Sequence, residues 1–370
     1  MSKPVFVTQP SLPPLEDFLP YLQKIWDNKQ LTNNGQMHQQ LEEQLAIYLK
    51  VPYLNLFCNG MAALQTALNC LRVSGEVITT PFTFVATSHS ISLHGSTPVF
   101  CDIDPETLNI DASKIEALIT DKTSAIMPVH VYGRPCDTEA IEAIARRYKL
   151  QVIYDGAHAF GIEQNGDSIL TKGDLTTLSF HATKVFNTLE GGAIVSNDVE
   201  TKTRIDQLKN FGILNEEQTV NIAGNGKMNE FQAAFGLMQL KSVDEQILKR
   251  QLIAQAYTQA FTNVKGLRLP TEIASVKANY GYYPILVESS FPLSRDQLYD
   301  YLKVNSVHAR KYFSPLVSEF SPYRHLRSAQ PDNLPIASAA AASVLCLPIF
   351  PELGRRQQLV IDLVHQVAEE

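Results

Sequence analysis

Short apolar runs recur between residues 53 and 155, and helical patterns such as 61–71 and 138–148 separate them. Strands that alternate with helices in this way build a mostly parallel sheet with helices on both faces. We therefore predict an α/β fold whose ligands bind beyond the carboxyl ends of the strands. The strand-like runs are 53–57, 76–80, 97–102, 124–130 and 151–155.

The order of the elements changes in the second half of the chain. A long helical pattern runs from Glu230 to about Val264, and shorter strand-like and helical stretches follow it. A chain of 370 residues is long enough for two domains. We predict a large domain over residues 1–244, which includes an N-terminal arm, and a smaller α+β domain over residues 245–370.

The composition excludes several functional classes. The net charge of −7 disfavours binding to a phosphate backbone. The sequence has neither an apolar run of about eighteen residues nor a signal-peptide pattern near Met1. The five cysteines form no C-x-x-C motif and are expected to be reduced. We expect a cytoplasmic protein that binds neither nucleic acid nor a membrane.

Lys184 is the first candidate for chemistry, because it lies between two strand-like runs, 175–181 and 192–196. A lysine in such a tight connection loses part of its hydration, which lowers its pKa and leaves some of the amine neutral. A neutral amine can form a Schiff base. Most lysines are only solvated surface charges, so this interpretation needs support from other residues.

Four other residues suggest a ligand site. Gly60 opens a helix whose free amides could bind a phosphate, although Asn-Gly is also an ordinary helix cap. Asp155 ends an apolar strand and needs a cationic partner, such as a protonated ring nitrogen, unless it only caps a turn. Phe84 could stack on a flat cofactor, although the core is the more ordinary place for it. His158 could contact the same ligand or be satisfied in the interior.

A metal site is disfavoured. The histidines that could form one, His130, His158 and His181, are predicted on separate strands without the short spacing of a ligand set. We therefore expect no metal.

Six motifs of the chain occur together, at residues 59–64, 82–87, 155–161, 179–184, 190–193 and 225–234. They are similar to those of the nucleotide-sugar aminotransferases of the DegT/DnrJ/StrS type, and the resemblance spans essentially the whole chain. It implies a fold-type I transferase that depends on pyridoxal 5′-phosphate.

The resemblance also implies roles for single residues. Lys184 would hold the cofactor as a Schiff base and move a proton between substrate and cofactor. Asp155 would keep the pyridine nitrogen of the cofactor protonated. The remaining implied cofactor contacts are those of Phe84 and His158 with the ring, and of Gly60, Met61 and Ser179 with the phosphate.

Other implied residues concern the partner subunit and the substrate. Asn225 would reach the phosphate of a neighbouring subunit, which makes the active unit a homodimer. Arg310 and Tyr312 occupy a stretch that contacts the nucleotide diphosphate or a substrate carboxylate in the family. The chain departs from the family at Met61, where threonine is usual, and at 224–228, which replaces the common Asn-Tyr-Arg-Met.

The residues around Lys184 point to the sugar carbon that reacts. The motif over residues 181–192 looks like that of the enzymes acting at C4. The implied reaction transfers the amino group of L-glutamate to dTDP-4-keto-6-deoxy-D-glucose, in the O-antigen part of lipopolysaccharide biosynthesis. A sibling acting at C3 or on a UDP-linked sugar is the first alternative. A dehydratase or a regulator of the same fold is the second, although dehydrating relatives typically have histidine in place of this lysine.

Overall fold

The computed structural model describes residues 3–369, in which helices and strands alternate along most of the chain. The helices are α1 (Leu15–Asn28), α2 (Gln36–Tyr48), α3 (Gly60–Cys70), α4 (Val85–Leu93), α5 (Ala112–Ile115), α6 (Thr138–Tyr148), α7 (Val199–Leu208), α8 (Glu230–Leu240), α9 (Val243–Phe261), α10 (Arg295–Val304), α11 (Pro335–Ser343) and α12 (Arg356–Ala368). The strands are β1 (Val5–Phe6), β2 (Tyr53–Phe57), β3 (Glu76–Thr79), β4 (Thr97–Phe100), β5 (Thr123–Met127), β6 (Gln151–Asp155), β7 (Glu163–Gln164), β8 (Asp167–Ser168), β9 (Leu175–Ser179), β10 (Gly192–Ser196), β11 (Ile213–Asn215), β12 (Gln218–Thr219), β13 (Leu267–Arg268), β14 (Val276–Lys277), β15 (Tyr283–Val287), β16 (Val307–His308) and β17 (Val344–Leu347).

A seven-stranded sheet in the order β2-β10-β9-β6-β5-β3-β4 forms the centre of the fold. Pairing is parallel from β9 through β6, β5 and β3 to β4. Only β10 runs antiparallel to its neighbours β2 and β9. No helix intervenes between β9 and β10, so the chain reverses there and pairs Ser179 with Gly192. The prediction of a mostly parallel α/β sheet is confirmed.

Helices cover both faces of this sheet. Successive side chains of a strand point to opposite faces, and apolar side chains on both faces need to be covered. In β10, Ala193 and Val195 pack into an apolar cluster with α2 and α8, whereas Ile194 packs into another with α3 and α7. The reversal between β9 and β10 therefore lies at the end of a sheet that is buried on both faces. Lys184 lies in that reversal.

The C-terminal part has its own antiparallel sheet, β13-β15-β17, and its own apolar cluster. Val5 belongs to this cluster, because β1 pairs with β16 and places Val5 opposite Val307. The arm is thus joined to the C-terminal part. The predicted boundary at residues 244 and 245 falls near the start of α9 and stays a prediction.

The single long helix predicted from residue 230 to 264 is wrong. The segment forms two helices, α8 and α9, which Lys241 and Ser242 separate. The Ser242 hydroxyl donates a hydrogen bond to the Gln239 carbonyl, 3.3 Å away, and so competes with the helical pattern there. None of the helices within residues 3–369 is both long and apolar enough to cross a membrane.

Candidate active site

The start of α3 and the end of β9 meet in an anion-binding geometry. Asn59 caps the helix, and its side-chain oxygen accepts a hydrogen bond from the amide of Ala62 at 2.8 Å. A Cβ on Gly60 would lie 3.0 Å from Cβ of Ser179 and 3.3 Å from its hydroxyl oxygen, so glycine permits this close approach. The amides of the first turn, which include that of Met61, and the Ser179 hydroxyl can therefore surround a phosphate.

Asp155 lies at the carboxyl end of β6 and is 4% exposed. One carboxylate oxygen accepts a hydrogen bond from the Thr87 hydroxyl at 2.8 Å, and the other accepts one from the Ala157 amide at 3.0 Å. Burial raises the pKa of Asp155, although these two bonds and the charge of Lys184 act to lower it. Across residues 3–369, no cationic side chain forms an ion pair with this carboxylate. A cationic ring nitrogen would supply the missing charge.

Lys184 lies in the β9–β10 connection, half-buried, with its amine donating to the Tyr282 hydroxyl at 3.3 Å. Burial lowers the pKa of this amine to about 8, although the charges of Asp155 and Tyr312 act to raise it. About a tenth of the amine is thus neutral at pH 7. This is the state that Schiff-base formation requires, although the role of Lys184 stays a prediction.

Phe84 and His158 differ in their surroundings. Phe84 precedes α4 and is 60% exposed, so the alternative that it belongs to the core is excluded, and its contact with a cofactor ring stays a prediction. His158 is buried, and its Nδ1 accepts a hydrogen bond from the Tyr132 amide at 3.2 Å. Its ring lies 4.7 Å from that of Tyr282 and 5.9 Å from that of Phe313. Burial and the nearby Lys184 lower the pKa of His158 well below its usual range, so the ring is neutral.

These features fit pyridoxal 5′-phosphate. The close contact between Gly60 and Ser179 would crowd a Cβ at position 60 but presents amides and a hydroxyl to a phosphate. The buried carboxylate of Asp155 lacks an ion-pair partner among the described residues, and the amine of Lys184 has a lowered pKa. An exposed ring at Phe84 offers a face for stacking.

The residues predicted for the partner subunit and the substrate lie toward the surface. Asn225 is exposed, and its side-chain oxygen accepts a hydrogen bond from the Lys227 amide at 3.3 Å. Arg310 is also exposed, with its guanidinium 5.8 Å from the centre of the Tyr312 ring. The Tyr312 ring packs edge-on against that of Tyr282 at 6.0 Å, and Tyr282 contacts Lys184, so the structure places Tyr312 near Lys184.

The sequence patterns missed Tyr282 and Asn279. Residues 280–287 have a strand-like pattern that would include Tyr282, but β15 begins only at Tyr283. Asn279 donates to the carbonyls of His158 and Phe160, at 2.9 Å each, and accepts from the amide of Gly281. Gly281, which interrupts a run of tyrosines, is the sequence signal that the strand starts later. Thr87 was also missed, although its position three residues after Phe84 places it on the first turn of α4.

The histidines considered for a metal site are spread over the fold. His130 is buried and stacks on Tyr154 at 4.8 Å, whereas His181 is exposed beside Glu190. In the part of the chain that the structure describes, no group of three or more His, Cys, Asp or Glu side chains could hold a metal ion.

Comparison with known proteins identifies the family of this chain. A dTDP-4-amino-4,6-dideoxy-D-glucose transaminase of Shigella dysenteriae is 54% identical over 354 residues, which cover 96% of each chain. A transaminase of the same name from Escherichia coli is 51% identical and covers 98% of this chain and 97% of its own. The crystal structure of DesI in the presence of its TDP-sugar product superposes with a TM-score of 0.95 at 33% identity, covering 100% of this chain and 94% of that one. Residues 15–365 match the sequence profile of the DegT/DnrJ/EryC1/StrS aminotransferases, and the chain belongs to this family.

Proposed function

We propose that this protein is a pyridoxal-phosphate-dependent transaminase that transfers the amino group of L-glutamate to C4 of dTDP-4-keto-6-deoxy-D-glucose. The products are dTDP-4-amino-4,6-dideoxy-D-glucose and 2-oxoglutarate. The observation that carries the reaction type is the match of residues 15–365 to the aminotransferase family, and Lys184, in the connection after β9, supplies an amine that can accept and return a proton. The choice of sugar rests on the two relatives that share more than half of their residues with this chain.

The bound cofactor supplies a ring that withdraws electrons from the carbon bearing the amino group. Asp155 would keep the ring nitrogen of the cofactor protonated, because its carboxylate is buried and needs a positive partner. The Thr87 hydroxyl and the Ala157 amide orient that carboxylate through hydrogen bonds of 2.8 and 3.0 Å. Both bonds favour its charged form.

Lys184 carries the proton that must move between two carbon atoms. With a pKa of about 8, the amine is neutral often enough to take the proton and basic enough to hold it. Its location in the connection after β9 brings it to the same strand ends as Asp155. The two groups therefore act on one bound ligand.

The cofactor would be held at its phosphate and at its ring. The amides of Gly60 and Met61 and the hydroxyl of Ser179 bind the phosphate at the start of α3. Phe84 and His158 contact the ring. Met61 stands where the family usually has threonine. Its backbone amide can still donate to the phosphate, but its side chain has no hydroxyl to make a further contact.

The active unit is a homodimer in which Asn225 reaches the partner's phosphate site. Exposed apolar side chains around the β11–β12 hairpin support a contact with a second copy: Ile222 is 98% exposed, and Phe211, Leu214 and Val220 are also exposed. Arg310 and Tyr312 contact the nucleotide diphosphate or the carboxylate of L-glutamate. The enzyme acts in the cytoplasm, in O-antigen sugar biosynthesis.

Two measurements test the proposal. The purified protein supplied with pyridoxal 5′-phosphate should absorb at roughly 410 to 430 nm, as a cofactor joined to a lysine does, and Lys184→Ala should lose this band. Incubation with L-glutamate and the dTDP-linked keto sugar should give a product whose NMR spectrum places the amine at C4. An amine at C3, a strict preference for a UDP-linked sugar, or no transfer at all would contradict the proposed reaction.

A further inference from the structure

The amine of Lys184 has one hydrogen-bonding side-chain partner within the described residues, and this partner is Tyr282. The Nζ–Oη distance is 3.3 Å, and Nζ lies 5.9 Å from the centre of the tyrosine ring. The amine therefore points at the hydroxyl and not at the ring face. None of the motifs predicted from the sequence includes this tyrosine.

The Tyr282 ring is held by its neighbours. It packs edge-on against His158 at 4.7 Å and lies tilted against Tyr132 at 5.5 Å. The backbone just before it is fixed by Asn279, whose side chain joins the amide of Gly281 to the carbonyl of His158. The position of the Tyr282 hydroxyl is thus fixed by contacts that do not involve Lys184.

Burial and nearby charges determine the protonation states of Lys184 and Tyr282. Asp155, Tyr312 and His158 face the Lys184 amine. Cys346, Arg250 and Asp155 face Tyr282. Burial raises the pKa of Tyr282, and Cys346 and Asp155 raise it further although Arg250 acts to lower it, so the side chain remains a neutral phenol near neutral pH. The phenol oxygen can therefore accept a hydrogen bond from the Lys184 amine while the side chain stays uncharged.

We propose that Tyr282 is a positioning residue for Lys184: its phenol oxygen accepts a hydrogen bond from the protonated amine and fixes the direction of Nζ. A C–H bond of the substrate breaks while an N–H bond forms at Nζ, and the electron pair stays on the substrate. Tyr282 stabilises the ammonium that results, because a hydrogen bond to the charged form favours that form. This role in the reaction rests on the proposed function, whereas the contact itself involves only side chains of this chain.

The first test measures the Lys184 amine directly, in the full-length protein without added cofactor. The rate at which acetic anhydride labels Lys184 is followed against pH by peptide mass spectrometry. The wild type should show a midpoint near 8. In Tyr282→Phe the ammonium loses its acceptor while burial is unchanged, so the midpoint should fall by roughly one pH unit, which corresponds to a tenfold change in the equilibrium.

Tyr283→Phe is the matched control. This tyrosine is adjacent in sequence, but its hydroxyl pairs with Thr258 at 2.8 Å. Its variant should label as the wild type does. Phenylalanine at position 282 keeps the ring that packs against His158 and Tyr132, so the variant should retain its near-ultraviolet circular dichroism. An unchanged labelling midpoint in Tyr282→Phe would overturn the proposal.

The second test separates positioning from binding. In steady-state transamination, Tyr282→Phe should lower kcat by roughly tenfold and leave KM for both substrates within about twofold, because the lost hydrogen bond acts on the proton carrier. A rise in KM with unchanged kcat would refute a positioning role. If the wild type catalyses no transamination, the proposed function fails, while the labelling result still decides whether Tyr282 sets the state of Lys184.

Discussion

Gly60→Ala tests the phosphate site. The added Cβ would lie 3.0 Å from Cβ of Ser179 and 3.3 Å from both its Cα and its hydroxyl oxygen. Carbon atoms in favourable contact are about 3.5 to 4.0 Å apart, so the helix start must move from β9 by roughly 0.5 Å. Such overpacking costs about 1 to 3 kcal/mol. If binding requires the original geometry, affinity for pyridoxal 5′-phosphate falls by roughly five- to 150-fold.

The assay compares two ligands that differ only in the phosphate. Pyridoxal 5′-phosphate and pyridoxal are titrated against Gly60→Ala and followed by visible absorbance. Affinity for pyridoxal should change little, because Lys184 is untouched. Gly224→Ala is the matched control, since a Cβ there meets nothing within 4 Å. An equal loss for both ligands, or none for either, would refute the assignment of the phosphate to the start of α3.

Three further variants probe other parts of the molecule. Asp155→Asn removes the charge that faces the cofactor nitrogen and should slow single-turnover amino transfer from L-glutamate by roughly a hundredfold or more; a rate within twofold of the wild type would count against this role. Although burial raises the pKa of Glu42, hydrogen bonding by His38 and the charges of Lys209 and Lys202 lower it well below its usual range. The stability that ionised Glu42 contributes is therefore present above the ordinary glutamate pKa and lost as the pH falls. Urea unfolding at pH 7 should show Glu42→Gln less stable than the wild type by about 3 kcal/mol. This difference in the free energy of unfolding should narrow below roughly pH 4. Asn279→Ala leaves two carbonyls without their donor and should lower the free energy of unfolding by about 2 kcal/mol, whereas an unchanged value would show that water replaces the amide.

The sheet could be predicted because its signal is local. Each parallel strand is a short apolar run, and the helix that must follow it has its own periodicity. The strand ends then indicated the edge of the sheet at which Asp155 and Lys184 lie. The direction of β10 was not predicted, because strand direction depends on what connects the strands and not on the strand sequence.

The hydrogen bonds that orient Asp155 and Lys184 could not be predicted from the sequence, for a different reason. Thr87 and Asp155 are 68 residues apart, and Lys184 and Tyr282 are 98 residues apart. A hydroxyl leaves no periodic pattern, so nothing in a single sequence marks such a partner. The same holds for Glu230, whose buried carboxylate accepts hydrogen bonds from the amides of Met37 and His38 at the start of α2.

The pairing of β1 with β16 sets an order of events during synthesis. Val5 is opposite Val307, so about 300 residues are made after the first strand before its partner exists. At 5 to 20 residues per second this interval lasts roughly 15 to 60 s. An unpaired strand edge can associate with other chains, but β1 is only two residues long and follows Lys3 and Pro4, which discourage such pairing. The C-terminal apolar cluster is therefore completed late, because Val5 of β1 can join it only after β16 has been synthesised.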